Sequence, residues 1–229
     1  MILQQLFIQA EGWEWADRAT IILESRWACA FWIDIVRRQV RTPQLWQVQV
    51  ICYEDVSSMP AIKEVGGSLE VPVALPAAEY IKRSLGERKV LLNKLLLAGC
   101  VRSARITGTT AGFWEQCAKR VEECGYVRTW QTAWRYSKDR KRSAALRFVH
   151  DIDCFRVIAV IRDRGHEVKR KVLATEEPDE IPFDKLLGSI RWKSGSTFEV
   201  IGKFGGLIAR VEAPTLVGLT KSMSAKRKE

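Results

Sequence analysis

The stretch VRSARITGTTAGFWEQCAKRVEECGYVRTWQTAWRY, residues 101–136, contains the clearest succession of secondary-structure signals in the chain. Its start, residues 101–107, predicts a strand, and the Thr/Gly-rich segment that follows predicts a turn. Residues 113–124 have helical spacing and are followed by Gly125, which favours a helix that ends there. Because residues 126–136 alternate aromatic with small or polar side chains, we expect a second strand and thus a strand–helix–strand unit.

The turn of this unit is a candidate phosphate site. It lies directly before the predicted helix, where backbone N–H groups and the helix dipole favour an anion. The turn contains no carboxylate that could hold Mg²⁺, and the further glycines or Lys-Ser/Thr pair of known phosphate-binding fingerprints are missing. An ordinary threonine N-cap is the alternative interpretation. The residues concerned are Thr107, Gly108, Thr109 and Thr110.

The predicted strand 126–136 carries an aromatic stripe. Its even positions place Tyr126, Trp130, Trp134 and Tyr136 on one face. An exposed stripe would form a platform on which unpaired bases stack, whereas a buried stripe would belong to the core. Both interpretations stay open, and we expect one tryptophan to face inward and the other to face solvent.

Positive charge is concentrated in the second half of the chain. The net charge is +10, yet residues 1–100 hold 11 Lys+Arg and 11 Asp+Glu, so the excess comes from 101–229, with 26 against 16. Segment 137–147 reads as a basic exposed loop, and 167–173 as the basic arm of a hairpin with 155–162. A solvated loop and an edge strand protected by lysines are the alternatives. The residues predicted to bind nucleic acid are Arg128, Trp130, Trp134, Arg135, Lys138, Arg140, Lys141, Arg142, Arg147, Lys169, Arg170 and Lys171.

The remaining segments predict an α+β fold with mixed or antiparallel sheets and about three helices. Residues 27–40 fit a helix or a strand, with the strand slightly favoured, and 45–53 reads as a strand paired in a hairpin with its predecessor. We expect a charge-neutral region 1–100, a basic region 101–220 packed on it, and a basic tail 221–229. The other predicted strands are 3–9, 19–24, 69–74 and a C-terminal antiparallel meander of 189–193, 197–202 and 207–213; the other predicted helices are 76–85, 88–98 and 182–187.

No catalytic motif is found in the sequence. His150 and His166 are expected at the surface, and six scattered cysteines fit buried thiols better than disulfides or zinc ligands. No apolar stretch approaches the roughly 20 residues that cross a bilayer, and no secretory signal is recognised, so a cytoplasmic location is expected. We predict no catalytic residue, metal or cofactor.

These observations favour a non-enzymatic protein that binds nucleic acid, RNA or single strands rather than duplex, through residues 126–171. A basic surface attracts polyanions, and neighbouring aromatic rings can stack bases. The alternative is a protein-interaction module, such as an immunity, inhibitor or adaptor protein, because tryptophan, tyrosine and arginine dominate binding hot spots.

Overall fold

The computed structural model describes residues 1–42, 44–179 and 187–214. The chain divides into two compact units. The first unit comprises residues 1–128, 149–155 and 176–179, and the second comprises 129–148, 156–175 and 180–229. Residue 100, the predicted boundary between two regions, lies inside a helix of the first unit. The α+β class is confirmed.

A four-stranded mixed sheet forms the centre of the first unit, in the order β1-β2-β4-β3. Its strands are β1 (Gln5–Glu11), β2 (Gln47–Tyr53), β3 (Lys63–Val65) and β4 (Ser68–Ala74). β2 pairs in parallel with β1 and β4, and β3 pairs antiparallel with β4. The predicted hairpin at β2 is therefore wrong, because parallel neighbours need a longer crossover connection.

Two helices of the first unit lie in the connection between β1 and β2. Residues 19–24 and most of 27–40 are helical, so the predicted strands there are wrong. Trp27, Ala28, Trp32 and Val36 are buried at helical spacing. In a short apolar run, the sequence alone does not distinguish this helical spacing from that of a buried strand. The helices are α1 (Trp15–Glu24), α2 (Arg26–Val36), α3 (Ala77–Ile81), α4 (Leu85–Thr107) and α5 (Ala111–Glu123), with a 3-10 turn at Val56–Ser58.

α4 continues through the position where the sequence predicts its end. Gly99 does not stop the helix; it lies against β2, where a Cβ atom would collide with the Val50 side chain. Residues 101–107 are consequently the last turns of α4, and the predicted strand–helix–strand unit is a helix–helix–strand succession. The helix ends at Gly108, whose φ of 69° is left-handed and favours glycine.

Buried polar groups join three helices in the core of the first unit. The Trp32 Nε1–H donates to Asn93 Oδ1 at 2.9 Å, and Asn93 Nδ2–H donates to the carbonyl of Ala118 at 3.1 Å. Trp32 also stacks on Trp114, with ring centroids 6.0 Å apart. This arrangement satisfies the polar atoms of Asn93 while α2, α4 and α5 pack on the sheet.

The histidines and cysteines follow the prediction only in part. His150 is fully buried, with Nε2 3.1 Å from the carbonyl oxygen of Pro178, so its predicted surface position is wrong; His166 is exposed. None of the six cysteines forms a disulfide, but Cys124 is exposed and Cys154 half-buried. The four buried thiols belong to Cys29, Cys52, Cys100 and Cys117.

The remaining eight strands form two sheets, and most of their residues belong to the second unit. One sheet has the order β5-β7-β8-β9, with β6 also paired to β7, and the other is the predicted antiparallel meander β10-β11-β12. The strands are β5 (Arg128–Gln131), β6 (Arg135–Tyr136), β7 (Arg142–His150), β8 (Phe155–Asp163), β9 (His166–Glu176), β10 (Leu187–Trp192), β11 (Thr197–Gly202) and β12 (Leu207–Glu212).

Two predictions around the aromatic stripe need correction. Residues 126–136 form two short strands rather than one, because 132–134 leave the ladder. The predicted loop 137–147 is mostly strand β7, and only 137–141 form a turn. The predicted helix 182–187, apart from Leu187 at the start of β10, and the tail 221–229 lie outside the described residues. Among the described helices, none combines the length and apolar character needed to cross a membrane.

Candidate nucleic-acid interface

The two units have opposite net charges. The first holds 16 Lys+Arg and 19 Asp+Glu, a net charge of −3, whereas the second holds 21 and 8, a net charge of +13. The positive potential that attracts a polyanion therefore arises from the second unit, and the candidate interface must be sought there.

Arg142 joins three segments at one end of the second unit. Its Nε is 3.0 Å from the Asp163 carboxylate, and its Nη1 and Nη2 donate to the carbonyl oxygens of Gly195 and Pro214 at 3.0 and 3.3 Å. Only 17% of its side chain is exposed. Arg142 was predicted to contact phosphate, but in the structure its guanidinium is used to position these neighbouring turns.

The turns positioned in this way carry the exposed cations. The backbone N–H of Arg164 donates to the carbonyl of Lys141 at 2.8 Å, which places the β8–β9 turn beside the turn at 137–141. The β10–β11 turn adjoins them through Gly195 and contains Lys193. Among the described residues, none of the five exposed cations in these turns forms an ion pair with a carboxylate. We call this group the basic tip; it consists of Lys138, Arg140, Lys141, Arg164 and Lys193.

Two arginines of the basic tip have a backbone conformation that favours other residues. Arg140 and Arg164 have φ angles of 56° and 47°, in the left-handed region where residues with a Cβ are uncommon. Arg164 and Gly165, whose φ is 89°, form the two-residue turn between β8 and β9. Two positive φ angles define a type I′ turn, for which Asn-Gly is the preferred pair.

Asp139 shapes the first turn of the basic tip through its hydrogen bonds. Its Oδ1 accepts from the Ser137 hydroxyl at 2.7 Å and from the backbone N–H of Lys141 at 3.2 Å. These hydrogen bonds, the Ser137 hydroxyl first, hold the pKa of the Asp139 carboxyl below its ordinary value. The carboxylate therefore fixes the backbone conformation of the turn that carries Lys138, Arg140 and Lys141.

One aromatic ring of the predicted stripe accompanies the basic tip. Tyr136 is 59% exposed, and the Arg140 guanidinium lies 6.0 Å from its ring centroid. The two tryptophans are both half-buried, so the expected split between one inward and one exposed is wrong. Trp130 stacks on Phe148 with centroids 5.1 Å apart, and the Arg162 guanidinium covers Trp134 at 4.1 Å.

Several predicted phosphate ligands have intramolecular partners. Arg128 lies in the first unit, 2.7 Å from Asp34. Arg147 and Arg170 approach the Glu167 carboxylate at 4.0 and 2.9 Å. The Lys169 ammonium donates to the backbone carbonyl of Glu212 at 2.7 Å. The side chains of Arg135 and Lys171 are exposed.

The threonine turn at 107–110 connects α4 to α5, and its hydroxyls are used within the fold. Thr107 is buried and donates to the carbonyl of Ser103 at 3.1 Å, while the Thr109 hydroxyl accepts from Trp114 Nε1–H at 2.7 Å. The Thr110 hydroxyl accepts from the backbone N–H of Phe113 and caps α5. This geometry supports the N-cap interpretation over the phosphate site.

Sequence reasoning missed Arg164 and Lys193 as site residues. Each had a local signal, because Arg164 precedes Gly165 in a recognised turn and Lys193 precedes Ser194-Gly195-Ser196. Neither signal showed that the two turns lie beside 137–141. That proximity depends on backbone pairing and on Arg142.

A scan of protein-family models and searches among curated proteins and solved structures found no match to this chain. In the part of the chain that the structure describes, no group of three or more His, Cys, Asp or Glu side chains is placed to hold a metal ion.

Proposed function

We propose that this protein binds nucleic acid without catalysis, with RNA or single-stranded DNA favoured, and that the basic tip is its primary contact. The observation that carries the proposal is the convergence of five exposed cations from three turns at one end of a unit with a net charge of +13. Exposed cations that form no ion pair with a carboxylate of the described residues can neutralise phosphates and release counterions, which dominates affinity for nucleic acid.

The left-handed arginines support a binding role for these side chains. Asparagine or glycine would fit positions 140 and 164 at lower conformational cost. Strained residues of this kind concentrate at functional sites, where the side chain is needed despite the cost. Arg140 and Arg164 lie in adjacent turns, so both strained positions supply charge to the same surface.

The exposed ring of Tyr136 favours unpaired bases as the ligand. A half-exposed aromatic beside a guanidinium offers a stacking surface next to phosphate-binding charge, which suits single strands. The proposal includes the cytoplasmic location predicted from the sequence, and six cysteines without a disulfide fit a reducing compartment.

The test compares two variants that each lose four cations. The tip variant replaces Lys138, Arg140, Lys141 and Arg164 with Gln. The control variant replaces four exposed cations of the first unit with Gln, namely Arg37, Arg38, Lys94 and Arg105. Affinity for a labelled single-stranded oligonucleotide is measured by fluorescence anisotropy over a range of salt concentrations, after each variant is shown to melt like the wild type.

We expect the tip variant to lower the magnitude of the slope of log affinity against log salt concentration by roughly 3. Each lost contact with a single strand removes about 0.7 from this slope. The control variant should keep the wild-type slope. Equal losses in the two variants would show that binding follows overall charge and would contradict the assignment to the basic tip. A wild-type protein that binds no oligonucleotide would overturn the function and leave the protein-interaction alternative.

The non-enzymatic part of the proposal has its own test. Homogeneous protein is incubated with labelled single- and double-stranded RNA and DNA and with nucleoside triphosphates, each with Mg²⁺, Mn²⁺ or chelator. We expect no turnover. Hydrolysis that co-purifies with the protein and disappears when Asp151 and Asp153, or Glu176 and Glu177, are changed to Ala would contradict it.

A further inference from the structure

A ladder of three charged side chains crosses the meander of the second unit. Arg191 on β10, Glu199 on β11 and Arg210 on β12 are register partners. The Glu199 carboxylate accepts from Arg191 Nε at 3.2 Å and from Arg210 Nη2 at 2.8 Å. The Glu199 side chain is 2% exposed, whereas those of Arg191 and Arg210 are 64% and 53% exposed.

The ladder has a net positive charge and a fixed geometry. The guanidinium of Arg210, followed by that of Arg191, holds the pKa of the Glu199 carboxyl below its ordinary value, so this group stays ionised at neutral pH. One carboxylate therefore anchors two guanidiniums whose remaining N–H groups are open to solvent. Guanidiniums held in this way are prepared to bind phosphate at a reduced entropic cost.

The ladder lies on the outer face of the meander. Phe198, Val200 and Val211 are buried, and they alternate with Glu199 and Arg210 along β11 and β12. Lys193 of the basic tip follows Arg191 by two residues and is the first residue after β10. The outer face therefore adjoins the basic tip along the chain.

An exposed aromatic ring marks the other end of this face. Phe204 occupies the β11–β12 turn and is 90% exposed, more than any other large hydrophobic side chain among the described residues. Exposed Lys203 precedes it, and Gly205, with a φ of 86°, turns the chain after it. Strand β11 is six residues long, which separates this turn from the β10–β11 turn by about 20 Å.

We propose that the outer face of β10–β12 extends the nucleic-acid interface, so that one single strand runs from Lys193 across Arg191 and Arg210 and stacks a base on Phe204. The proposal rests on the function proposed above and adds a direction and a length to it. At a rise of roughly 3.4 Å per nucleotide along the axis of a stacked strand, 20 Å spans about six nucleotides. The chemistry required of the ligand is a flexible polyanion with a flat ring on each repeating unit, which a single strand provides.

The test measures affinity against oligonucleotide length. Single-stranded oligonucleotides of about four to about fourteen nucleotides are titrated with wild type, with Phe204→Ala, and with Arg191→Gln/Arg210→Gln. Val172→Ala is the matched control, because Val172 is a 51% exposed apolar side chain outside the meander. The tip variant described above is measured in the same series, and melting curves confirm that each variant is folded.

We expect wild-type affinity to rise with length until a strand covers both the basic tip and Phe204. Phe204→Ala should bind the longest strands about tenfold more weakly, which corresponds to one lost stacked base, and should match wild type on the shortest strands. Phe204→Trp should restore the affinity. A 2-aminopurine placed in turn at each position should show one position whose fluorescence is quenched by wild type and not by Phe204→Ala.

The two proposals fail in different ways. If Phe204→Ala and Arg191→Gln/Arg210→Gln follow wild type at every length while the tip variant is weakened, the extended interface is wrong and the basic tip stands. If the tip variant binds like wild type, the primary contact is wrong. A loss in Val172→Ala equal to that in Phe204→Ala would show that exposed apolar area matters without a defined path, which also overturns this inference.

Discussion

The first unit holds all six cysteines and a net charge of −3, whereas the second holds no cysteine and a net charge of +13. The first unit is stabilised by a core of aromatic rings, thiols and a hydrogen-bonded asparagine. The second uses arginine–carboxylate contacts, at Arg142 and at Glu199, to hold its turns and its outer sheet. The difference shows that part of the positive charge is structural, so the number of cations alone does not identify a binding surface.

The largest expected contrast between the units is their response to alkali. Burial raises the pKa of Cys29 and Cys52 from 9.0 to about 12. A raised pKa in the folded state stabilises the protein fully below pH 9, and this stability is lost as the pH rises towards 12. The loss for two such thiols is roughly 3 kcal/mol per pH unit.

Urea unfolding at pH 8 and at pH 10.5, followed by tryptophan fluorescence, measures this loss. Cys29→Ala/Cys52→Val should show a smaller difference between the two pH values. An unfolding free energy that is the same at both pH values in the wild-type protein would show that these thiols are not buried as described.

Removal of the Arg142 side chain tests whether the second unit depends on its arginine–carboxylate contacts. Arg142→Ala leaves the Asp163 carboxylate, 9% exposed, without its partner, and such a loss costs about 3–5 kcal/mol. Hydrogen exchange should increase in β7 and β8 and stay unchanged in β2 and α4. Arg147→Ala, which breaks a longer and more exposed pair, is the control and should cost at most about 1 kcal/mol.

The close packing of the first unit predicts a smaller effect at Gly99. Gly99→Ala forces a Cβ atom against Val50 and should cost about 1–3 kcal/mol. In the double variant with Val50→Ala, the cost should be less than the sum of the two single changes. Gly86→Ala is the control, since position 86 has open space and alanine favours a helix by up to about 1 kcal/mol.

The smallest effect concerns the strained turn of the basic tip. Arg164→Asn should raise the unfolding free energy by up to about 1 kcal/mol, because asparagine tolerates the type I′ position better. The same change removes one phosphate contact and should weaken binding to a single strand. Paired measurements of melting and binding decide the matter, and a gain in stability with unchanged affinity would exclude Arg164 from the interface.

Elements with strong local signals were predicted correctly from the sequence. β2 carries Val48, Val50 and Cys52 at alternate positions, and α5 is capped by Thr110 and followed by Gly125. Ser-Gly-Ser and Gly-Gly turns separate the strands of the meander. These patterns depend on residues close together in the chain. The charge asymmetry is likewise a property of the sequence alone.

Failures occurred where a distant partner sets the conformation. The segment at 27–40 has an apolar run that fits either period, and it is helical because that helix packs on the parallel sheet. Gly99 resembles a helix stop, yet it lies inside α4 because Val50 leaves no room for a side chain. His150 looked like a residue at a strand margin, and its burial results from Phe155 and Pro178.

The sequence by itself determined the α+β class, the three hairpin turns β8–β9, β10–β11 and β11–β12 of the second unit and the location of its excess charge, because composition and alternation are local. Only the tertiary structure decided which cations remain available to a ligand. Arg142 and Asp163 are 21 residues apart, and Arg164 reaches Lys141 across a similar separation. A charge is free or neutralised according to its neighbours in space, and for these residues the neighbours are supplied by strand pairing.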